Sequence, residues 1–254
     1  GADGVLNTSD DKQILRIAAT QVTLFVGEPG AGTTNDGDEV GVRVTNGTAL
    51  LLITPDGLAG RISATATVLL GTGVPAVTAT ATVEINQLRR TVGAKVMPIA
   101  VDETFVLNGA TTTLALPAGA FVKVSLTGLS LVIAGQRLTA DVSVERLARL
   151  GADGSILTPL TPTYDLRLRL ANVGLRLGSP ERDIVVVTNG AGTFDIVGGT
   201  SGGIAGRVTG TVAIDIPGVV FGGTFEVQVN TTSSARTVDA VSVAPGLTVI
   251  GSAV

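Results

Sequence analysis

The chain has 254 residues, a formal net charge of −4, 44% hydrophobic and only 3% aromatic residues, and 34 Gly. His, Cys and Trp are absent, which excludes zinc centres, Ser-His-Asp triads, Cys-His nucleophiles, iron–sulfur clusters and a disulfide scaffold. An acidic chain without clustered cations or aromatic stacking platforms is not built for nucleic acid, and no run of about 20 apolar residues is present to cross a membrane as a helix.

Alternation of period two dominates the chain. Residues 61–68 place their apolar side chains on even numbers. Val77, Ala79, Ala81, Val83 and Ile85 face one way, and Thr78, Thr80, Thr82 and Glu84 face the other. The same pattern runs through Leu138, Ala140, Val142 and Val144, then Leu166, Leu168 and Leu170, then Val208, Val212, Ile214 and Ile216, and finally Phe225, Val227 and Val229. Successive strand side chains point to opposite faces, so each run predicts a strand with one dry and one wet side. Asn46-Gly47, Asn108-Gly109 and Asn189-Gly190 read as hairpin turns. No helix is expected; the nearest pattern, residues 144–150, reads as a strand end entering a turn.

An internal repeat is visible. Gly1-Ala2-Asp3-Gly4 recurs as Gly151-Ala152-Asp153-Gly154, and Leu15-Arg16-Ile17-Ala18 is echoed by Leu168-Arg169-Leu170-Ala171. Val44-Thr45-Asn46-Gly47 matches Val187-Thr188-Asn189-Gly190, and Ala59-Gly60-Arg61-Ile62 matches Ala205-Gly206-Arg207-Val208. Val83-Glu84-Ile85-Asn86 corresponds to Val227-Gln228-Val229-Asn230, and Arg90-Thr91-Val92 to Arg236-Thr237-Val238. Order is preserved throughout, which predicts a first β repeat at 1–150 and a second, incomplete one at 151–254. From Val238-Asp239 the second copy follows Val101-Asp102, then stops where the first continues into residues 121–150. The missing runs suggest a third copy, strands borrowed from a neighbour, or an arbitrary boundary. The start at Gly1 rather than Met likewise reads as a segment of something longer or a matured product.

The main polar loop, residues 28–39, offers a calcium site. Asn35, Asp36, Asp38 and Glu39 could supply oxygens to Ca²⁺, with Gly37 allowing a tight turn. The spacing matches neither an EF-hand nor a Gly-Gly-x-Gly-x-Asp array, and a solvated acidic turn is the favoured reading. Asp3 and Asp153 could bind metal at a junction between copies, but turn residues bonding their own backbone explain them better. Glu84, Asp141, Glu145, Asp215 and Glu226 sit at polar strand positions, where a glycosidase would need a pair of carboxylates, but where a solvated sheet face carries charge anyway. The repeat places Gln228 opposite Glu84 and Thr82 opposite Glu226, so no acid pair is kept in both copies, and no catalytic residue is assigned. Arg61 and Arg207 are equivalent and read as edge charges or partners of carboxylates.

The stretch Leu50-Leu51-Leu52-Ile53-Thr54-Pro55-Asp56-Gly57-Leu58-Ala59-Gly60 resembles the long repeat arrays of giant bacterial surface or secreted proteins, including the LEPR-XLL type. So do Asp102-Glu103-Thr104-Phe105 with Leu116-Pro117-Ala118-Gly119, Ala134-Gly135-Gln136-Arg137-Leu138-Thr139-Ala140-Asp141, and Ile216-Pro217-Gly218-Val219 through Asn230. The resemblance implies an extracellular or cell-surface β-rich stalk, adhesin or matrix protein, often in company with calcium-binding repeats. It carries no catalytic residue, and residues 196–203 depart from its pattern.

The expectation is therefore an all-β protein of antiparallel hairpins in tandem, forming a sandwich-like or solenoid-like rod. It would not be an enzyme and would need no cofactor, calcium excepted. Its partners would be neighbouring copies of the same repeat, assembled end to end into a bacterial extracellular fibre, stalk or adhesin. The alternative is a β-groove that binds lipid or another hydrophobic ligand, suggested by the continuous apolar alternation and a mean hydropathy of +0.49.

Overall fold

The computed structural model describes residues 14–28, 38–70, 77–133, 135–157, 164–179, 181–198 and 202–253. In these, the chain forms β1 (Leu15–Glu28), β2 (Val40–Thr54), β3 (Gly57–Leu70), β4 (Val77–Asn86), β5 (Arg89–Val92), β6 (Lys95–Pro98), β7 (Val101–Leu107), β8 (Ala110–Leu116) and β9 (Phe121–Ile133). It continues through β10 (Gln136–Ala148), β11 (Tyr164–Ser179), β12 (Arg182–Val197), β13 (Gly203–Ile216), β14 (Val219–Asn230), β15 (Arg236–Val238), β16 (Val241–Val243) and β17 (Gly246–Ala253). The protein is all-β, with no helix among the described residues. Eleven long strands make one antiparallel sheet in the order β1-β2-β3-β4-β9-β10-β11-β12-β13-β14-β17, and three short hairpins, β5–β6, β7–β8 and β15–β16, stand apart from it. Each long strand pairs with the next long strand in sequence, so the sheet is a meander. It runs unbroken across residue 150, where β10 pairs with β11 from Ala148↔Tyr164 to Arg137↔Arg176.

Residues opposite one another in a ladder share a face, so the alternation seen in sequence sums into two contrasting surfaces. One row crosses all eleven strands as Ala19, Ala49, Ile62, Val83, Val124, Val144, Leu168, Phe194, Gly206, Val229 and Leu247. The neighbouring row on the other face reads Arg61, Glu84, Lys123, Glu145, Arg167 and Asp195 across β3, β4, β9, β10, β11 and β12.

Of the three expected Asn-Gly turns, only Asn108-Gly109 joins two strands, linking β7 to β8 with φ of 52° and 80°. Asn46-Gly47 and Asn189-Gly190 lie inside β2 and β12, at register shifts between Thr45 and Thr48 and between Thr188 and Ala191. They are β-bulges, each inserting one extra residue relative to the partner strand. Asn46 and Asn189 both take φ of 54°. The glycines are required by close approach: a Cβ at Gly47 would lie 2.8 Å from the Val22 Cβ, and one at Gly190 would lie 2.7 Å from the Val173 Cβ. The bulges in the facing strands are matched too, with Gln21 at φ 56° in β1 and Asn172 at φ 52° in β11.

The buried core lies where the hairpins fold back on the polar face at one end of the sheet. Leu50, Leu52 and Ala59 from the sheet pack with Leu88, Val101, Phe105, Leu114, Leu116 and Phe121. A smaller cluster of Ala205, Val238 and Val243 sits under β15–β16. Both clusters are pinned by a buried asparagine at the end of a strand. Asn86 donates from Nδ2 to the carbonyls of Ile99 and Pro117, both at 2.8 Å, and accepts the Leu88 N–H on Oδ1. Asn230 donates to the carbonyls of Ser234 and Val243 and accepts the Thr232 N–H.

Register defines the counterparts in the two halves. Bulge matches bulge when Val22 is set against Val173, so Leu15-Arg16-Ile17 corresponds to Leu166-Arg167-Leu168. That corrects the correspondence with Leu168-Arg169-Leu170 by two residues. The end of the chain is corrected as well. β17 pairs with β14 from Asn230↔Gly246 as β9 pairs with β4 from Asn86↔Phe121. The second half therefore does have a counterpart of β9; among the described residues β10 and the β5–β6 hairpin have none. One compensation is legible in the side chains. The seven-residue arms of β7–β8 shrink to three in β15–β16. The sheet positions Ala18, Leu50 and Leu52 become Arg169, Thr193 and Asp195, polar residues where the apolar cover is shorter.

Candidate functional site

Of the residues proposed for calcium, Asn35 and Asp36 lie outside the described residues. Glu39 is 1% exposed, and its carboxylate accepts a 2.6 Å hydrogen bond from the Arg43 guanidinium, which itself lies over the Phe25 ring. Asp38 is half-buried beside it. Among the described residues no group of three or more acidic side chains could hold a metal ion.

Asp153 behaves as a turn residue. Its Oδ1 accepts the Ser155 N–H at 3.0 Å and the Ser155 hydroxyl at 2.7 Å, while Gly154 takes φ of 78°. The Lys95 ammonium, followed by these Ser155 donors, holds its carboxyl far below the usual carboxylate range. Asp3 lies outside the described residues.

The five carboxylates on strands are structural partners. Glu84 accepts from Arg61 at 2.9 Å and lies 3.6 Å from the Lys123 ammonium. Glu226 is held by Arg207 at 2.7 Å and by Gln228, which together lower its pKa. Asp215 pairs with Arg182. Asp141 accepts the Gly128 N–H at 2.7 Å and the Asn172 amide at 2.6 Å, and these bonds lower its pKa in that order. Its carboxylate thereby satisfies backbone left open by the β9 bulge, where Gly128 takes φ of 70°. Glu145 stands between Lys123 and Arg167 in the charged row. General acid–base chemistry needs a carboxyl poised near the working pH. The shifts at Asp141 and Glu226 run the opposite way, favouring the ionised form.

A cavity of about 480 Å³ opens beside β15 and is lined by Leu147, Arg149, Asp165, Arg167, Asp195 and Arg236 among others. Four of its charges are already joined, Arg149 to Asp165 and Arg167 to Asp195, each at 2.6 Å. The Asp195 carboxylate raises the Arg167 pKa. These are the residues that sequence reasoning missed. Each looks like an isolated surface charge until register brings strands far apart in sequence side by side.

The apolar face is the other candidate surface. Val124 is 42% exposed and Val144 44%, although both lie in the interior of the sheet. Ile62, Leu166, Ile196 and Ile204 are exposed on the same face. The described hairpins pack on the opposite side, against Leu50, Leu52 and Ala59.

Comparison with known proteins returns no matching family model, no matching curated protein and no matching solved structure.

Proposed function

We propose that this chain is a structural module of an elongated extracellular β assembly, of the stalk, adhesin or matrix kind, and not an enzyme. The observation that carries the reading is the recurrence of irregularities. Bulges, positive-φ residues, the glycines that admit Val22 and Val173, and the buried Asn86 and Asn230 all return at corresponding places in β1–β4 and β11–β14. Regular alternation arises easily in a Val- and Thr-rich chain, whereas matched departures from it do not. The unit has six long strands, β1 to β4 with β9 and β10, and the β10–β11 ladder joins it to the next. An even number returns the chain to its starting direction, so units can follow one another in a single antiparallel sheet. Each would lengthen it by roughly 29 Å at about 4.8 Å per strand. Asparagine-pinned hairpins along one margin, and ion pairs across the polar face, give rigidity rather than chemistry.

Electron microscopy of the protein in its native source tests this. Ribbons or rods much longer than the roughly 48 Å spanned by eleven strands are expected. Compact single particles would overturn the reading.

A second reading, a module that binds lipid or another hydrophobic ligand, is favoured by the apolar face, whose side chains such as Val124 and Val144 are exposed among the described residues. Eleven strands of about 13 residues present roughly 2,000 Å² on one side, several times the largest apolar patch of an ordinary monomer, about 300–600 Å². Mass spectrometry of an organic extract of the purified protein tests it: stoichiometric lipid would support it, and a lipid-free protein would remove it.

A further inference from the structure

We infer that the two outer edges of the sheet, on β17 and on β1, are receptor edges for the same kind of strand, one with the sequence pattern of β10. The inference rests on the structural-module reading and names the partner that such a module takes.

Inside the chain β10 lies between two neighbouring strands. One side of it pairs with β9, from Leu147↔Phe121 to Gln136↔Ile133, and the other with β11, from Ala148↔Tyr164 to Arg137↔Arg176. β17 is the counterpart of β9, because Gly246 stands opposite Asn230 as Phe121 stands opposite Asn86. β1 is the counterpart of β11, because Ile17 stands opposite Leu51 as Leu168 stands opposite Phe194. β9 and β11 each have a strand on both sides, whereas among the described residues β17 pairs only with β14 and β1 only with β2. The exposure of matched side chains reflects this. Val124 in β9 is 42% exposed and its counterpart Val249 in β17 is 67% exposed. Leu247, which matches Val122, is 70% exposed. An edge of this kind presents unpaired N–H and C=O groups to an incoming strand, with alternate side chains setting the register.

The register follows from the β9–β10 ladder. A β10-type strand would place Val144 opposite Val249, Glu145 opposite Thr248, Arg146 opposite Leu247 and Leu147 opposite Gly246. On its other side, Val144 would meet Ile17 and Glu145 would meet Arg16, as they meet Leu168 and Arg167 within the chain. The same strand thus fits β17 of one copy and β1 of another, and it runs antiparallel to both. Direct contact between β17 and β1 of two copies with their apolar faces on the same side would require a parallel pair, because β9 and β11 point the same way. The inserted strand is what keeps the ladder antiparallel.

The test uses the full chain and a synthetic peptide with the sequence of residues 136–148. Amide hydrogen exchange should slow at least tenfold at alternate positions within Gly246–Ala253 and Leu15–Glu28. Light scattering should show two copies or more joined when peptide is supplied at half-stoichiometry. A peptide carrying Val144→Pro, which removes a ladder donor, should lose both effects. Weak binding of a free peptide is circumvented by a second form, in which a copy of residues 130–148 is appended after residue 254, restoring a β9–β10 hairpin at that edge. There the same protection should appear at β17 without added peptide. Unchanged exchange at Gly246–Ala253 in the appended form would overturn the inference, as would equal binding by the Val144→Pro peptide. Long native ribbons seen alongside that failure would leave the module reading standing and remove only the strand assigned to its edges.

Discussion

Asn86 provides the sharpest test of how the sheet is held at its hairpin margin. Its side chain is fully buried and closes three contacts to backbone, donating to the carbonyls of Ile99 and Pro117 and accepting the N–H of Leu88. These are the groups that let the chain leave β4, build two hairpins and return as β9. Asn86→Ala removes all three at once. A net hydrogen bond contributes about 1 kcal/mol, and a buried partner left unsatisfied costs about 1–3 kcal/mol, so the expected loss is about 3–5 kcal/mol. Asn86→Asp should not rescue it, because a carboxylate cannot donate to the two carbonyls. Urea unfolding followed by circular dichroism measures the loss as a lower midpoint at unchanged slope. Hydrogen exchange should localise early opening to residues 87–120. Asn230→Ala should behave alike through Ser234, Val243 and Thr232. A loss below about 1 kcal/mol in both variants would mean that water replaces these contacts, and the margin would then be held by apolar packing alone.

Four further outcomes are expected. Gly190→Ala should cost about 1–3 kcal/mol in the same assay, because its Cβ would overlap Val173. Gly222→Ala, whose nearest atom is 3.9 Å away, should change stability by under about 0.5 kcal/mol. Acidification should destabilise the fold: Asp141 and Glu226 have folded pKa values below their unfolded ones. Their contribution is present above the unfolded pKa near 4 and is lost as pH falls through the lower folded values. Urea midpoints at pH 7, 4 and 3 should show this fall, and it should shrink in Asp141→Asn and Glu226→Gln. Glu145→Lys places like charges opposite Lys123 and Arg167. It should cost about 1 kcal/mol, and a double-mutant cycle with Lys123→Glu should show favourable coupling between the two positions, although Glu84 and Arg167 then each face a like charge.

Much of the sheet was legible in the sequence because burial on one face imposes period two. The even-numbered run at 61–68 lies in β3, and the odd-numbered run at 77–85 fills most of β4. Less legible was anything that depends on which strand lies alongside. Asn46-Gly47 and Asn108-Gly109 are the same dipeptide, yet one is a bulge and the other a turn, because the partner strand continues past the first and ends at the second. The two-residue error in matching β1 to β11 has a related cause. Leu166-Arg167 and Leu168-Arg169 are near-identical in a strict alternation, and a slip of two keeps every side chain on its face. Only the bulge at Val173 breaks that degeneracy. The charged row was hidden for the same reason, since Glu84, Lys123 and Glu145 are joined only through register. Asn86, polar at the end of a strand, carried no signal that it would be among the most buried side chains.

Strand parity decides what the open sheet can become. Eleven strands in an antiparallel meander leave β1 and β17 pointing the same way. Closing the sheet into a barrel would need one parallel ladder among antiparallel ones, with β1 and β17 brought to about 5 Å. It would also bring the exposed Leu15 and Ile17 against Leu247 and Val249. Among the described residues no ladder joins these edges, and antiparallel extension is open to both. The distinction can be measured in a chain that naturally lacks cysteine. Ile17→Cys with Val249→Cys should give no disulfide within one chain under mild oxidation, because a disulfide requires Cα atoms within about 7 Å. Cross-links between chains remain open to the same pair wherever copies associate. An intramolecular cross-link in dilute protein would show that the edges meet, and it would replace the extended sheet with a closed one.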